Sequence, residues 1–199
     1  MSRRERTLSA VLAAWFAQSA GAAAVELALI TPVLVVAMLN IVDVSVFAYN
    51  RMQVQNAAQM GAEAAWATCN ENTPGQLPAT NTALCPNFQT AVSTAITKTM
   101  LGANVTLAAG SPTEGYYCTT TSGGLQLVGT GPGTVGSPPA KPSPDTCAAV
   151  ASASDPTAKP GDYVKINVSY TYTPIFAGVT VAGLLGATVN QSVWMRLGE

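Results

Sequence analysis

From Leu27 to Val42 the chain reads LALITPVLVVAMLNIV, sixteen residues without a charge, and a single acid, Glu26, stands directly in front of them. A run of this length and hydropathy has few ways to fold in water; extended from Ala22 to Tyr49, it is long enough to cross a bilayer. About 20 helical residues at 1.5 Å each span the roughly 30 Å hydrocarbon core. An acid just inside such a span is costly, since a charged side chain at the bilayer centre costs roughly 2.5–3.5 kcal/mol on insertion scales. Glu26 therefore calls for a partner that solubility does not explain. Asp43, at the other end, is expected at the outer interface with its charge in reach of water. Pro32 lies inside the span, where membrane helices tolerate a kink.

Ahead of this run, residues 1–21 carry Arg3, Arg4 and Arg6 and then no charge from Thr7 onwards. Positive charge before an apolar span keeps the N-terminus cytoplasmic and directs the rest of the chain outwards. Two processing readings compete. Signal peptidase would remove a peptide with Leu8–Ala17 as its apolar region, cutting after Ala22 through the small pair Ala20 and Ala22. Alternatively, a prepilin peptidase would cut after Gly21, making Ala22 the new N-terminus. Only the second gives Glu26 a role.

The helical pattern continues past Tyr49. Arg51, Gln55, Gln59 and Glu63 recur every four residues as a polar stripe, while Val54, Ala57, Ala58, Gly61, Ala62 and Ala65 offer small or apolar faces. One helix is predicted from about Ala23 to Ala67, on the order of 65 Å long. Residues 22–49 form its membrane half and 50–68 its extracytoplasmic half.

Gly21-Ala22-Ala23-Ala24-Val25-Glu26, the early Pro32, Asp43, the stretch Gln55-Asn56-Ala57-Ala58-Gln59-Met60-Gly61-Ala62 and the closing Val193-Trp194-Met195-Arg196 together resemble the TadE-like family of minor pilins, or pseudopilins, of tight-adherence (Flp) pilus machines. The resemblance covers about residues 21–66, and weakly the C-terminal strand. It implies a pilin-like fold and a structural role in assembling an adhesive pilus of type IV kind. Gly21 and Ala22 would flank the leader cut, and Glu26 would be the family's acid, pairing in the membrane with the amine of Ala22 on a neighbouring subunit. Partners so implied are other pilins, pilus-assembly proteins, prepilin peptidase and membrane lipid. An uncleaved single-pass scaffold or surface-binding protein of the same machinery is the alternative.

Residues 69–199 are expected to form a small periplasmic α+β head, an antiparallel sheet laid on the outer half of the helix. Asn87 is placed to cap a helix over Phe88–Leu101 with Gly102 as its stop, and Phe88, Ala91, Val92, Ala95, Ile96 and Met100 as its core stripe. Strict alternation marks a strand from Asp162 to Thr173, with Val164, Ile166, Val168, Tyr170 and Tyr172 on one face. A second strand fits Thr188–Leu197, with Val189, Val193, Met195 and Leu197 inward. Ala103–Ala108 is a further short strand, and Pro174–Gly186 a short helix or hairpin-like excursion. Residues 110–160, rich in Gly, Pro, Ser and Thr, read as a surface loop too poor in apolar bulk to offset its ordering entropy.

Four cysteines lie beyond the apolar run. An even number beyond a membrane span fits an oxidising compartment and two disulfides. Of the three pairings, Cys69–Cys85 and Cys118–Cys147 close the shortest loops. No Cys-x-x-Cys pair supports zinc. The chain has no His, which removes the commonest general base and metal ligand. No phosphate-binding glycine loop, lysine-activated serine or nucleophile elbow is present, so neither enzyme activity nor a cofactor is expected. Nine scattered Lys and Arg at net charge −1 give no nucleic-acid footprint. Asp155 and Asp162 flank a turn and read as solvated turn residues rather than calcium ligands.

Overall fold

The computed structural model describes residues 3–73, 75–184 and 188–198, with side chains from Gly21 onward except those of 182 and 183. Its elements are helix α1 (Arg3–Thr68), helix α2 (Phe88–Ile96) and strands β1 (Val105–Leu107), β2 (Thr113–Thr119), β3 (Leu125–Thr134), β4 (Gly161–Thr171) and β5 (Thr188–Gly198). The chain divides into two units, one of residues Met1–Val46 and Thr173–Leu185, the other of Phe47–Tyr172 and Gly186–Glu199.

The larger unit is the α+β head, with the second half of α1 built into it. Its sheet is antiparallel throughout. Strand β4 is the centre. It pairs along its whole length with β5, from Asp162↔Gly198 to Thr171↔Thr188. Its other edge is shared by β2, opposite Gly161–Lys165, and β1, opposite Val168–Tyr170; β3 lies outside β2. The gap between β1 and β2 is closed by bonds to Asn167, whose N–H donates to Ser111 Oγ at 2.8 Å and whose carbonyl accepts from the Ala108 N–H at 2.9 Å.

One face of this sheet covers α1. Val164, Ile166 and Val168 of β4 and Val189 and Leu197 of β5 pack with Val54, Ala57, Ala58, Ala62 and Ala65, while Phe88, Val92 and Ile96 of α2 complete the core. Full burial of each branched side chain contributes about 1.5–3 kcal/mol. Small residues on α1 make the approach possible. A Cβ added to Gly61 would sit 2.9 Å from Ile96 Cγ2 and 3.4 Å from Ile166 Cγ2, so glycine there is a packing requirement. Arg51, Gln55, Gln59 and Glu63 are all exposed, on the face turned from the sheet.

Several expectations require correction. Residues 110–160 are not a surface loop: they supply β2 and β3, and β2 hydrogen-bonds on both edges. The glycine and proline content of 129–133 serves a break in the β2–β3 pairing. The register jumps from Glu114↔Gly133 to Tyr116↔Val128, and Gly129 (φ +97°) takes a conformation side chains disfavour. Only the remainder is irregular, and it is tied by Cys118–Cys147 around a small second core with Val128 and Val150.

Helix α2 ends at Ile96 rather than Leu101, and Met100 is 83% exposed instead of in the core. The segment past Thr94 is threonine-rich, and Thr97 Oγ1 bonds to the Thr94 carbonyl at 2.8 Å, the backbone competition that weakens helix ends. Asn87 makes no side-chain cap, because its backbone is already helical and the cap geometry needs an extended residue. Gly102 opens a 3₁₀ turn to Asn104, which shortens the next strand to Val105–Leu107. Over Pro174–Gly186 the chain forms turns and a 3₁₀ segment, Val181–Leu184; residues 185–187 lie outside the described residues.

Candidate functional site

The first half of α1 carries the features that need a functional explanation. Its helix passes through Pro32 to Thr68, and the stretch Gly21–Thr68 is the single candidate membrane span among the described residues. Val25, Leu27, Leu29, Val33, Leu34 and Met38 all stand exposed, a band with no protein covering it.

Five polar side chains interrupt that band between residues 21 and 46, and four are satisfied within the molecule. Thr31 Oγ1 donates to the Leu27 carbonyl at 2.6 Å, Asn40 Nδ2 to that of Val36 at 2.7 Å, and Ser45 Oγ to that of Ile41 at 2.7 Å. Each hydroxyl or amide is folded back on its own helix, as polar groups in lipid must be. Asp43 is completely buried rather than in water as expected. Its carboxylate accepts from the Ile175 N–H at 3.0 Å and from the Thr180 hydroxyl. Glu26 differs from all of these: it is exposed on the helix and makes no polar contact among the described residues. Ala22, one helical turn before it, is equally exposed. Gly21 lies within the continuous helix, with nothing near the position of a Cβ.

The remaining expected site residues are in the head. Cys69 pairs with Cys85 (Cα–Cα 6.3 Å) and Cys118 with Cys147 (5.9 Å), separations usual for disulfides. The first ties the end of α1 to the residues before α2; the second closes the 119–146 segment against β2. A depression of about 470 Å³ beside Cys118 and Cys147 is lined by Tyr117, Asp155, Lys159 and Arg196. The sulfurs there are joined and supply no thiolate. Asp155 Oδ1 accepts from both the N–H and the hydroxyl of Thr157, at 2.8 and 2.7 Å, and these bonds hold its carboxyl below the usual range. It is a turn residue with its own partners. No nucleophile–base pair converges there.

Asp162 is not the solvated turn residue expected. It is 1% exposed in β4 and lies against Glu114 of β2, which is fully buried. Glu114 accepts from Ala79 N–H at 2.6 Å, Thr80 N–H at 2.7 Å and Thr80 Oγ1 at 2.5 Å. Among the described residues Asp162 receives no such donors, so its contact with Glu114 becomes a hydrogen bond when the pair holds a proton, and the three donors already on Glu114 favour Asp162 as its carrier. Burial first, and then the neighbouring Glu114, push Asp162 up to about 8 from 3.8. Burial and the same two acids push Tyr116 up to about 12.

This retained proton makes stability depend on pH. Between pH 3.8 and about 8 the unfolded chain releases the Asp162 proton while the folded chain keeps it, so this group's stabilising contribution falls as pH rises across that window and is flat above it. Replacing Asp162 by asparagine, which retains a donor for Glu114, is expected to flatten this slope and raise the melting temperature above pH 8 relative to the parent. Thermal melts by circular dichroism from pH 4 to 9 check it; parallel curves for parent and variant would refute the buried proton.

The burial of Glu114, Asp162 and Asp43 has no local signal in the sequence. The donors to Glu114 and Asp43 lie far along the chain, and the acid beside Asp162 lies on another strand. Residues 21–63 match the family model described as TadE-like protein. Neither a search of curated proteins nor one of solved structures returns a match. The match spans the apolar run, Glu26 and the start of the head-packed segment of α1, so that residues 21–63 of this chain are similar to TadE-like proteins.

Proposed function

We propose that the protein is a minor pilin, or pseudopilin, that takes part in assembling a tight-adherence pilus. The family connects the chain with that machinery in general. The finer role rests on one observation: Glu26 alone among the polar side chains of residues 21–46 makes no polar contact among the described residues. In a bilayer that acid needs a second polypeptide. Cleavage after Gly21 would place a charged amine on Ala22, and the amine of one subunit would pair with Glu26 of the next. Arg3, Arg4 and Arg6 hold the N-terminus in the cytoplasm, and the two disulfides suit a head on the oxidising side of a bacterial inner membrane.

The second reading is an uncleaved envelope scaffold of the same machinery, in which α1 stays continuous across Gly21 and Ala22. Mass spectrometry of the protein purified from its native membrane separates the two. A mature chain beginning at Ala22 is expected; one beginning at Met1 or Ser2 would establish the scaffold, and one beginning at Ala23 would establish signal-peptidase release.

A further inference from the structure

We infer that the segment 173–184 is a second membrane contact, a loop clipped to α1 at Asn40 and Asp43 that lays its apolar side chains into the headgroup–acyl boundary of the bilayer. The inference rests on α1 spanning the membrane, but not on any role in a pilus.

The loop, TPIFAGVTVAGL, has no charged residue. Ile175, Val179, Val181 and Leu184 are all exposed, Val179 by 52% and Leu184 by 86%. Such a cluster is unfavourable in water, where each branched side chain left uncovered forfeits the gain of burial. Its attachment is polar and specific. Asp43 accepts the Ile175 N–H and the Thr180 hydroxyl, and Asn40 Oδ1 accepts the Val181 N–H at 2.8 Å.

Depth on the helix decides what covers the loop. Counting from Gly21, about 20 residues cross the hydrocarbon core, which brings its outer limit to about residues 40–43. The clip therefore lies at the edge of the core, next to Ile41 and Val42, which are themselves exposed and belong to the span. Irregular backbone does not persist in the lipid interior, because its polar groups need partners. At the interface, water and headgroups meet the remaining ones while the side chains reach the acyl chains. Lipid continuous with that around α1 is thus the occupant, and the clip explains why an acid is buried at Asp43: it holds the loop at one depth.

The full chain, reconstituted in phosphatidylcholine vesicles, tests this with Val179→Trp and, as a reporter of the span, Leu34→Trp, each read as emission added to the parent. Lipids brominated near the headgroup are expected to reduce the Val179→Trp signal about twofold, and lipids brominated deep in the chain the Leu34→Trp signal. Adding Asp43→Ala should open Val179→Trp to aqueous iodide and leave Leu34→Trp unchanged. Quenching of Val179→Trp by iodide in the intact chain, with Leu34→Trp still quenched by lipid, would overturn the loop contact alone. Protection from both quenchers would assign the loop to a second copy or another protein, and also overturn it. If neither reporter meets lipid, the membrane span falls, and the inference with it. An unchanged iodide response in the Asp43→Ala variant would remove the clip.

Discussion

Replacing Glu26 by alanine is expected to remove the protein from assembled pili while leaving it in the membrane. The apolar band from Leu27 onward is untouched by the change, and losing an acid makes insertion easier. On the proposed pairing, the substitution would instead strand the amine of Ala22 on the neighbouring subunit. Taking one member from a pair of charges buried together typically costs about 3–5 kcal/mol. At 1.4 kcal/mol per factor of ten, that corresponds to a drop of about two to three and a half orders of magnitude in incorporation. Glu26→Gln keeps a hydrogen-bond acceptor and should fall between the two. Immunoblots of sheared surface fibres against membrane fractions give the ratio directly. Wild-type amounts in the fibre fraction for Glu26→Ala would mean that the acid has no partner there, and the assembly role would lose its foundation.

Much of this architecture is local in origin, and so the sequence reveals it. The uncharged run, the four-residue polar stripe on α1 and the alternation of β4 are all periodic patterns that report which face is covered. Val164, Ile166 and Val168 are indeed completely buried, and Arg51, Gln55, Gln59 and Glu63 are exposed. Strands β2 and β3 escape the same reasoning for a physical reason. Their ordering entropy is offset by the pairing of β2 with β4 and of β3 with β2, not by their own apolar content, and the glycines and proline that suggest a loop accommodate the irregular pairing near Gly129. The compact signal that marks them is Tyr116-Tyr117-Cys118 and then Leu125-Gln126-Leu127-Val128, two β-prone runs separated by Gly123-Gly124. The acids are harder. Asp43 finds its donors 132 and 137 residues away, and Glu114 finds its own 34 and 35 residues back. A carboxylate whose solvent is replaced by distant backbone leaves no trace in composition or spacing. Glu26, by contrast, draws attention in the sequence because its misfit is with its immediate surroundings.

The contrast between Glu114 and Asp162 leads to the largest stability effect expected in the head. Both acids are buried in adjacent strands, yet their substitutions should act in opposite directions. Glu114 is the acceptor for three donors, the N–H groups of Ala79 and Thr80 and the Thr80 hydroxyl, which is itself fully buried. Glu114→Ala leaves all three unmet and empties the space between β2 and the 79–80 turn. Each buried donor without a partner costs about 1–3 kcal/mol, so a total loss of about 3–5 kcal/mol is expected after partial relaxation. Against the 5–15 kcal/mol typical of a folded domain, that is enough to unfold the head at moderate temperature. Glu114→Gln should rescue little, because its amide turns an N–H₂ toward groups that are already donors. Asp162→Asn, by comparison, removes an ionisable group that the fold holds protonated and should stabilise at alkaline pH. Urea titrations of the full chain in detergent, monitored by tryptophan fluorescence to which Trp194 in β5 contributes, measure both. A Glu114→Ala unfolding free energy within about 1 kcal/mol of the parent, roughly the value of one ordinary hydrogen bond, would show that the 79–80 turn finds other acceptors. The acid would then be a tenant of the core and not its organiser.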